Sequence, residues 1–226
     1  FLMTGLGLHM TQTAGLALAS DRATEETRPR VVALLYVMYL LGMGLSALLI
    51  GWLLRDFTNL TLIRVVQGAA LAGLLLNLVA LWKQEHMSPM TKEQRSAPRP
   101  SFAKTWSAFM AEGASARLIL VVFLGTLAFN MQDVLLEPYG GEILGLAVGQ
   151  TTWLTAAWAF GALAGLAYAA RRLKAGFNAY RLMSNSIFVG LLAFPAVIVL
   201  APIGSTTLFF AGAYLIGLCS GLFAVS

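Results

Sequence analysis

The sequence has little charge and few residues that usually carry chemistry, and each shortage excludes a class of protein. Only 11% of its 226 residues are charged, whereas 58% are hydrophobic and the mean hydropathy is +0.77. A soluble domain carries about 25% charged residues, so this composition excludes one. The single cysteine, Cys219, excludes an internal disulfide framework. Neither His9 nor His86 has a second ligand at the spacing of a metal site.

The sequence also lacks the motifs of catalysis and of nucleic-acid binding. It has no nucleophile elbow and no phosphate-binding glycine loop. We therefore expect no enzyme and no nucleic-acid partner.

Long apolar runs are present instead. A span needs roughly 20 apolar residues to cross a bilayer. Seven segments meet this, at about 1–20, 31–54, 60–82, 118–144, 149–170, 180–200 and 206–226. We predict an all-α polytopic membrane protein. Because both ends of the chain lie within apolar runs, we expect an internal fragment of a longer protein.

The basic residues follow the loops on one side of the predicted bundle. The stretches 21–30, 83–117 and 171–181 hold 13 of the 15 lysines and arginines. Short loops rich in Lys and Arg face the cytoplasm. We therefore predict that loops 21–30, 83–116 and 171–181 are cytoplasmic.

The longest loop divides the chain. We predict the end of an N-terminal bundle of three spans at 1–82, a cytoplasmic linker at 83–116, and the start of a C-terminal bundle of four spans at 117–226. This organisation resembles the two-bundle major facilitator fold, with spans 4 to 10 of a presumed twelve present. Within the linker, aromatic and apolar residues at helical spacing predict an amphipathic helix at 101–113. It would lie on the membrane surface or pack on the protein as a linker helix.

One apolar run contains an unusual number of polar side chains. The stretch "FNMQDVLLEPYGGEILGL" (129–146) places Asn130, Asp133 and Glu137 within about 60° of one another on an ideal helix, with Gln132 pointing away. Ionisable residues inside a span usually face a bundle interior or a wet cavity, so this face is a candidate pigment or substrate site. The alternative is a set of wet carboxylates near the membrane interface.

The same run contains residues that weaken a helix. Pro138 removes a backbone hydrogen bond, and Gly140 and Gly141 weaken the helix further. We expect these three residues to break the span beside the polar face.

The first predicted span has a second candidate site. His9, Gln12 and Thr13 share one helical face, and His9 lies near the middle of the span. A neutral imidazole there could ligate the central magnesium of a chlorin. A hydrogen bond to a neighbouring helix is the plainer alternative.

Two pairs of glycines predict close contacts. Gly161 with Gly165, and Gly217 with Gly221, are small residues four apart. This pattern is typical of helix–helix packing in membranes. A glycine face could instead lie against a bulky pigment or dock an antenna helix.

Three stretches resemble one known family: "GLGLHMTQTAGLALASDRATEETRPRVVAL" (5–34), "VQGAALAGLLLNLVALWKQE" (66–85) and "FNMQDVLLEPYGGEILGLAVGQTT" (129–152). They are similar to the PucC/LhaA family, the bacteriochlorophyll delivery branch of the major facilitator superfamily. The resemblance implies a protein of the inner, intracytoplasmic membrane of a phototrophic bacterium. It implies an assembly factor for light-harvesting antenna complexes, which hands bacteriochlorophyll to antenna polypeptides or chaperones their insertion.

The resemblance also implies a cofactor and partners. The cofactor would be bacteriochlorophyll a or a precursor. The partners would be light-harvesting antenna polypeptides, the core antenna and reaction centre, and the machinery of bacteriochlorophyll synthesis or membrane insertion, all within the lipid bilayer. Two other functions stay open on the residues: a proton-coupled secondary transporter using Asp133 or Glu137, and a resident structural subunit of a photosynthetic complex.

Overall fold

The computed structural model describes residues 2–82, 101–111, 113–200 and 205–225, and every regular element in these ranges is an α-helix. The helices are α1 (Leu2–Arg22), α2 (Arg28–Leu53), α3 (Asn59–Leu81), α4 (Phe102–Ala111), α5 (Gly113–Leu144), α6 (Val148–Lys174), α7 (Ala179–Leu200) and α8 (Thr206–Val225). The predicted fold class, an all-α polytopic membrane protein, is confirmed.

Six of these helices are long and apolar enough to cross a membrane. The six are α2, α3, α5, α6, α7 and α8. The predicted first span forms a helix of 21 residues, α1, but it does not join the six. Its apolar residues alternate with Thr4, His9 and Gln12, which lower its mean hydropathy. By length and composition together the described chain therefore has six candidate spans rather than the predicted seven.

The helix ends follow from local side-chain chemistry. The Thr58 hydroxyl accepts a hydrogen bond from the backbone N–H of Thr61 at 3.0 Å and so caps α3. Just after the C-terminal end of α6, Gly176 has a φ of +84°, a conformation that glycine adopts without strain. The N–H groups of Gly176 and Phe177 return to the carbonyls of Leu173 and Arg172, which completes the capping motif.

The chain divides into two compact units. One comprises residues 1–52 and 136–226, and the other comprises residues 53–135. The predicted division at 1–82, 83–116 and 117–226 stays a prediction, since residues 83–100 lie outside the described ranges.

Within the predicted linker, α4 carries a row of aromatic side chains. Phe102 stacks on Trp106 with ring centroids 5.9 Å apart, and Trp106 lies 6.4 Å from Phe109. All three rings and Met110 are exposed. The aromatic face of α4 is therefore free of the described core, and its placement on a membrane surface stays a prediction.

The core of the first unit lies between α6, α7 and α8. Leu154, Ala159, Phe209, Ile216 and Cys219 have at most 1% of their surface exposed. The α6 residues in this set and their neighbours are mostly alanine and glycine, so the backbones approach closely. Packing, and not apolarity alone, holds helices together in lipid.

The helix α5 runs without interruption to Leu144, so the predicted break at Pro138, Gly140 and Gly141 was wrong. A proline inside a helix removes one hydrogen bond but does not have to end it when packing supports the next turn. Here Tyr139 stacks on Phe209 with centroids 6.1 Å apart. A Cβ on Gly140 would lie 3.1 to 3.2 Å from Phe209, Leu146 and Leu154, so glycine serves a close contact there. The helix ends instead before Gly145, whose φ is +64°.

Candidate functional site

A carboxyl group of α5 is bound by a hydroxyl of α6. Thr155 Oγ1 donates a hydrogen bond to Glu137 Oε1 at 2.5 Å, and both side chains are half-buried. The bond follows from the turn between the helices, because Gly145 reverses the chain and sets the start of α6 beside the end of α5. Glu137 is thus an ionisable group held in a defined position within an apolar helix.

An unpaired donor lies one turn further along α6. Trp158 is three residues after Thr155, on the same side of the helix. Its indole N–H is buried and has no hydrogen-bond partner among the described residues. Buried donors are nearly always paired, so this N–H has the capacity to bind an acceptor such as a ligand carbonyl.

The burial of the other polar residues of α5 differs from the prediction that the face with Asn130 and Asp133 points towards a bundle interior or cavity. Asn130 is exposed, whereas Gln132, which was expected to point away, is buried with 4% of its surface exposed. Asp133 lies within the helix, but its side chain is outside the described set. Of the three predicted partners, only Glu137 has a described polar contact. Sequence periodicity identified the helix but not which side other helices cover.

A groove of about 400 Å³ lies between α1 and α2. Its polar groups are the side chains of Thr11, Gln12 and Thr13 from α1 and of Tyr36 and Tyr39 from α2, and its apolar walls include Leu8, Leu16 and Leu35. This volume is within the range of about 300–1,000 Å³ of small-molecule pockets, which combine apolar walls with a few polar groups.

The two residues predicted on α1 are placed differently. Gln12 lines the groove, whereas His9, three residues earlier, is exposed and is not one of the lining residues. No group of three metal-binding side chains occurs among the described residues. A neutral imidazole at this position would be able to hold a chlorin magnesium through one ring nitrogen.

The four predicted glycines lie in the contact between α6 and α8. A Cβ on Gly161 would overlap the carbonyl oxygen of Tyr214, and one on Gly165 would overlap that of Leu218. On α8, a Cβ on Gly217 or Gly221 would overlap the carbonyl oxygen of Trp158 or Ala162. The geometry assigns these glycines to packing within the chain, and α6 and α8 cover each other where an antenna helix would have to dock.

Sequence reasoning missed several residues of these sites. Thr155, the partner of Glu137, is one of many threonines in an apolar run, and nothing in the sequence singles it out. Tyr36 and Tyr39 are three residues apart in α2, which does signal one face carrying two phenols. Which helix that face meets is known only from the fold.

Comparison with known proteins places the chain in a family. The PUCC protein family matches residues 1–226, the whole chain. The chain belongs to the PUCC protein family. This confirms the resemblance to PucC, while the major facilitator branch and the numbering of the spans stay predictions.

Relatives of the PUCC family align over nearly all of the chain. A protein of Rhodobacter capsulatus named "Uncharacterized protein in puhA-bchM intergenic region" is 62% identical, over 100% of this chain and 47% of its own length. Protein PucC of Rhodobacter capsulatus is 46% identical, over 99% of this chain and 49% of its own. Protein PucC of Rhodovulum sulfidophilum is 45% identical, over 99% and 50%.

The chain therefore spans about half the length of these curated PUCC relatives. No solved structure matches it.

Proposed function

We propose that this chain is part of an assembly factor for bacterial light-harvesting antenna complexes, acting on pigment or antenna polypeptides inside the membrane. The observation that carries the proposal is the PUCC match over residues 1–226, because this family is involved in the formation of light-harvesting complexes in purple bacteria. The role is binding and delivery rather than catalysis. The setting is the intracytoplasmic membrane, with antenna polypeptides, core antenna and reaction centre as partners.

Bacteriochlorophyll, or a precursor, is the proposed ligand, and the groove between α1 and α2 is its proposed site. The residues present fit such a group. Gln12 and Tyr36 offer hydrogen bonds to pigment carbonyls, and the leucine walls offer apolar contact. His9, three residues before Gln12, would be the residue to hold the pigment magnesium through a ring nitrogen.

The test is the pigment that accompanies the tagged full-length protein. We expect the purified protein to carry bacteriochlorophyll absorbance that His9→Leu and Gln12→Leu reduce, while Met10→Leu, on the exposed part of α1, leaves it unchanged. Pigment-free protein from cells making antenna would contradict the pigment role. Stoichiometric retention of the protein in mature antenna complexes from steady-state cells would instead identify a resident structural subunit.

A proton-coupled transporter is the second candidate, and the Glu137–Thr155 pair favours it. A carboxyl inside a span is a group through which protons are moved in transporters. Glu137→Gln keeps the shape of the side chain but cannot ionise. If antenna assembly survives Glu137→Gln and fails with Glu137→Leu, hydrogen bonding is the role of this group. If Glu137→Gln alone abolishes function and proteoliposomes take up a solute with protons, transport is the function.

Asp133 is tested in the same way. We expect Asp133→Asn to support antenna assembly and Asp133→Leu to fail, because pigment handling needs a polar group and not a charge. Full antenna levels with Asp133→Leu would remove Asp133 from the site.

A further inference from the structure

A second cavity, of about 500 Å³, opens between α6 and α8 at the basic end of α6. It is lined by Ala164, Ala167, Tyr168, Arg171, Leu218 and Leu222. The four residues from α6 recur at helical spacing and so form one face. From Arg171 to Ala164 the groove extends roughly 10 Å along the helix, at about 1.5 Å per residue.

The shape of this groove follows from the residues that build it. Ala164 and Ala167 leave open the volume that larger side chains would fill. The wall opposite is Leu218 and Leu222 of α8, which the glycine contacts hold close to α6. The result is an apolar channel with a single cationic group, Arg171, among its lining residues.

The charge around the groove has one sign. Between residues 143 and 226 the sequence contains no aspartate or glutamate, and its four basic residues all lie in 171–181. Arg172 is held in place: its Nε donates to Tyr168 Oη at 2.9 Å, and its guanidinium lies 4.8 Å from the ring of Phe177. Among the described residues Arg171 has no carboxylate partner, so its charge is available to a ligand.

We propose that this groove binds an anionic phospholipid, with the phosphate on Arg171 and one acyl chain between α6 and α8. Basic pockets between helices at the cytoplasmic side are suited to anionic headgroups, and loop 171–181 is predicted to face that side. A zwitterionic lipid would set its own cation beside Arg171, so the groove distinguishes lipids by charge. The site is separate from the groove of α1 and α2 and does not depend on the pigment role.

Native mass spectrometry of the delipidated full-length protein tests the headgroup. With dioleoylphosphatidylglycerol and dioleoylphosphatidylcholine as probes, we expect preferential retention of phosphatidylglycerol. Arg171→Gln should weaken that retention about fivefold, the effect of one basic residue near an anionic headgroup. Arg181→Gln is the matched control, an exposed cation of the same loop that does not line the groove, and should change retention less than about twofold.

A second pair of variants tests the acyl chain. Ala167→Leu fills the groove and should reduce retention of phosphatidylglycerol, while Ala170→Leu, at an exposed position outside the lining, should not. Equal retention of the two lipids by the wild-type protein would overturn the proposal. This is the result expected if another helix of the full-length protein covers the groove. Binding of inorganic phosphate that depends on Arg171 and ignores Ala167→Leu would identify a free-anion site and overturn it too. If a variant does not fold, the wild-type protein is measured at low and at high salt. The proposal expects its preference for phosphatidylglycerol to fall at high salt, and an unchanged preference would contradict it.

Discussion

The contact between α6 and α8 is closed and the groove between α1 and α2 is open, although α2 is more apolar than α6. In α8, 44% of the most apolar stretch is buried, against 17% in α2, and α1 has no buried residue among those described. In the closed contact, glycine on one helix meets a backbone carbonyl on the other. In the open one, leucine and tyrosine side chains line the space between the helices. Small residues facing each other, and not hydrophobicity, decide which helices close together in lipid.

Glycine alone does not explain the difference. A Cβ on Gly5, Gly7 or Gly15 of α1 would meet nothing within 4 Å. On α2, Gly44 lies against Phe160, whereas Gly42, two residues earlier, is open. A small residue produces contact only when the partner helix presents its backbone or a fitting side chain at the same level.

The largest effect should come from adding one methyl group to the closed contact. Gly217→Ala sets a Cβ against the carbonyl oxygen of Trp158, and backbone atoms cannot move as a side-chain tip can. We expect the free energy of unfolding to fall by about 3 kcal/mol, the upper range for overpacking. The measurement is the yield of monodisperse protein in detergent and its thermal midpoint. Wild-type values for both Gly217→Ala and Gly161→Ala would show that the two helices are not in contact through these residues.

The next effect concerns the polar contact beside the closed region. Thr155→Val removes the hydroxyl that binds Glu137 and leaves the carboxyl without its described donor. We expect the free energy of unfolding to fall by about 1 kcal/mol, which is typical of a hydrogen bond between membrane helices. Thr152→Val is the control, because the Thr152 hydroxyl donates to the carbonyl of Val148 within its own helix. Equal effects of the two variants would show that the Glu137 bond adds nothing between helices.

Filling the open groove should change binding more than stability. Leu16→Trp places a larger side chain among the groove residues, and α1 and α2 already lie apart there. We expect a stability change of at most about 0.5 kcal/mol and reduced pigment absorbance. Met10→Trp, exposed and outside the groove, is the control. A large drop in the thermal midpoint with Leu16→Trp would mean that the groove is packed core.

The last effect should have the opposite sign to the first. A Cβ on Gly68 of α3 would meet nothing within 4 Å. Alanine favours a helix over glycine by about 1 kcal/mol, so Gly68→Ala should leave the thermal midpoint unchanged or raise it. A destabilised Gly68→Ala variant would show that α3 has a tight neighbour at this level.

The fold class was predictable from the sequence because apolar length and helix ends are local properties. Six of the seven predicted spans, the glycine pairs and the resemblance to PucC follow from residues close together in the chain. The burial pattern of α5 was not predictable, because helical spacing does not say which side of a helix is covered: Gln132 is buried and Asn130 is exposed. The predicted break of α5 at Pro138 was wrong because the support comes from a distant part of the chain. Phe209, 71 positions later, packs on the turn that proline weakens.

The pairing of α6 with α8 has a consequence in time during synthesis. Gly161 and its partner Tyr214 are separated by about fifty residues, including all of α7. At 5–20 residues per second, α6 waits roughly 3–10 s in the membrane before α8 has been made. For that interval its glycine face is bare, and any neighbouring helix with a fitting backbone can occupy it. A slower ribosome over residues 175–205 would lengthen this exposure, while one that pauses after Val225 would leave it unchanged.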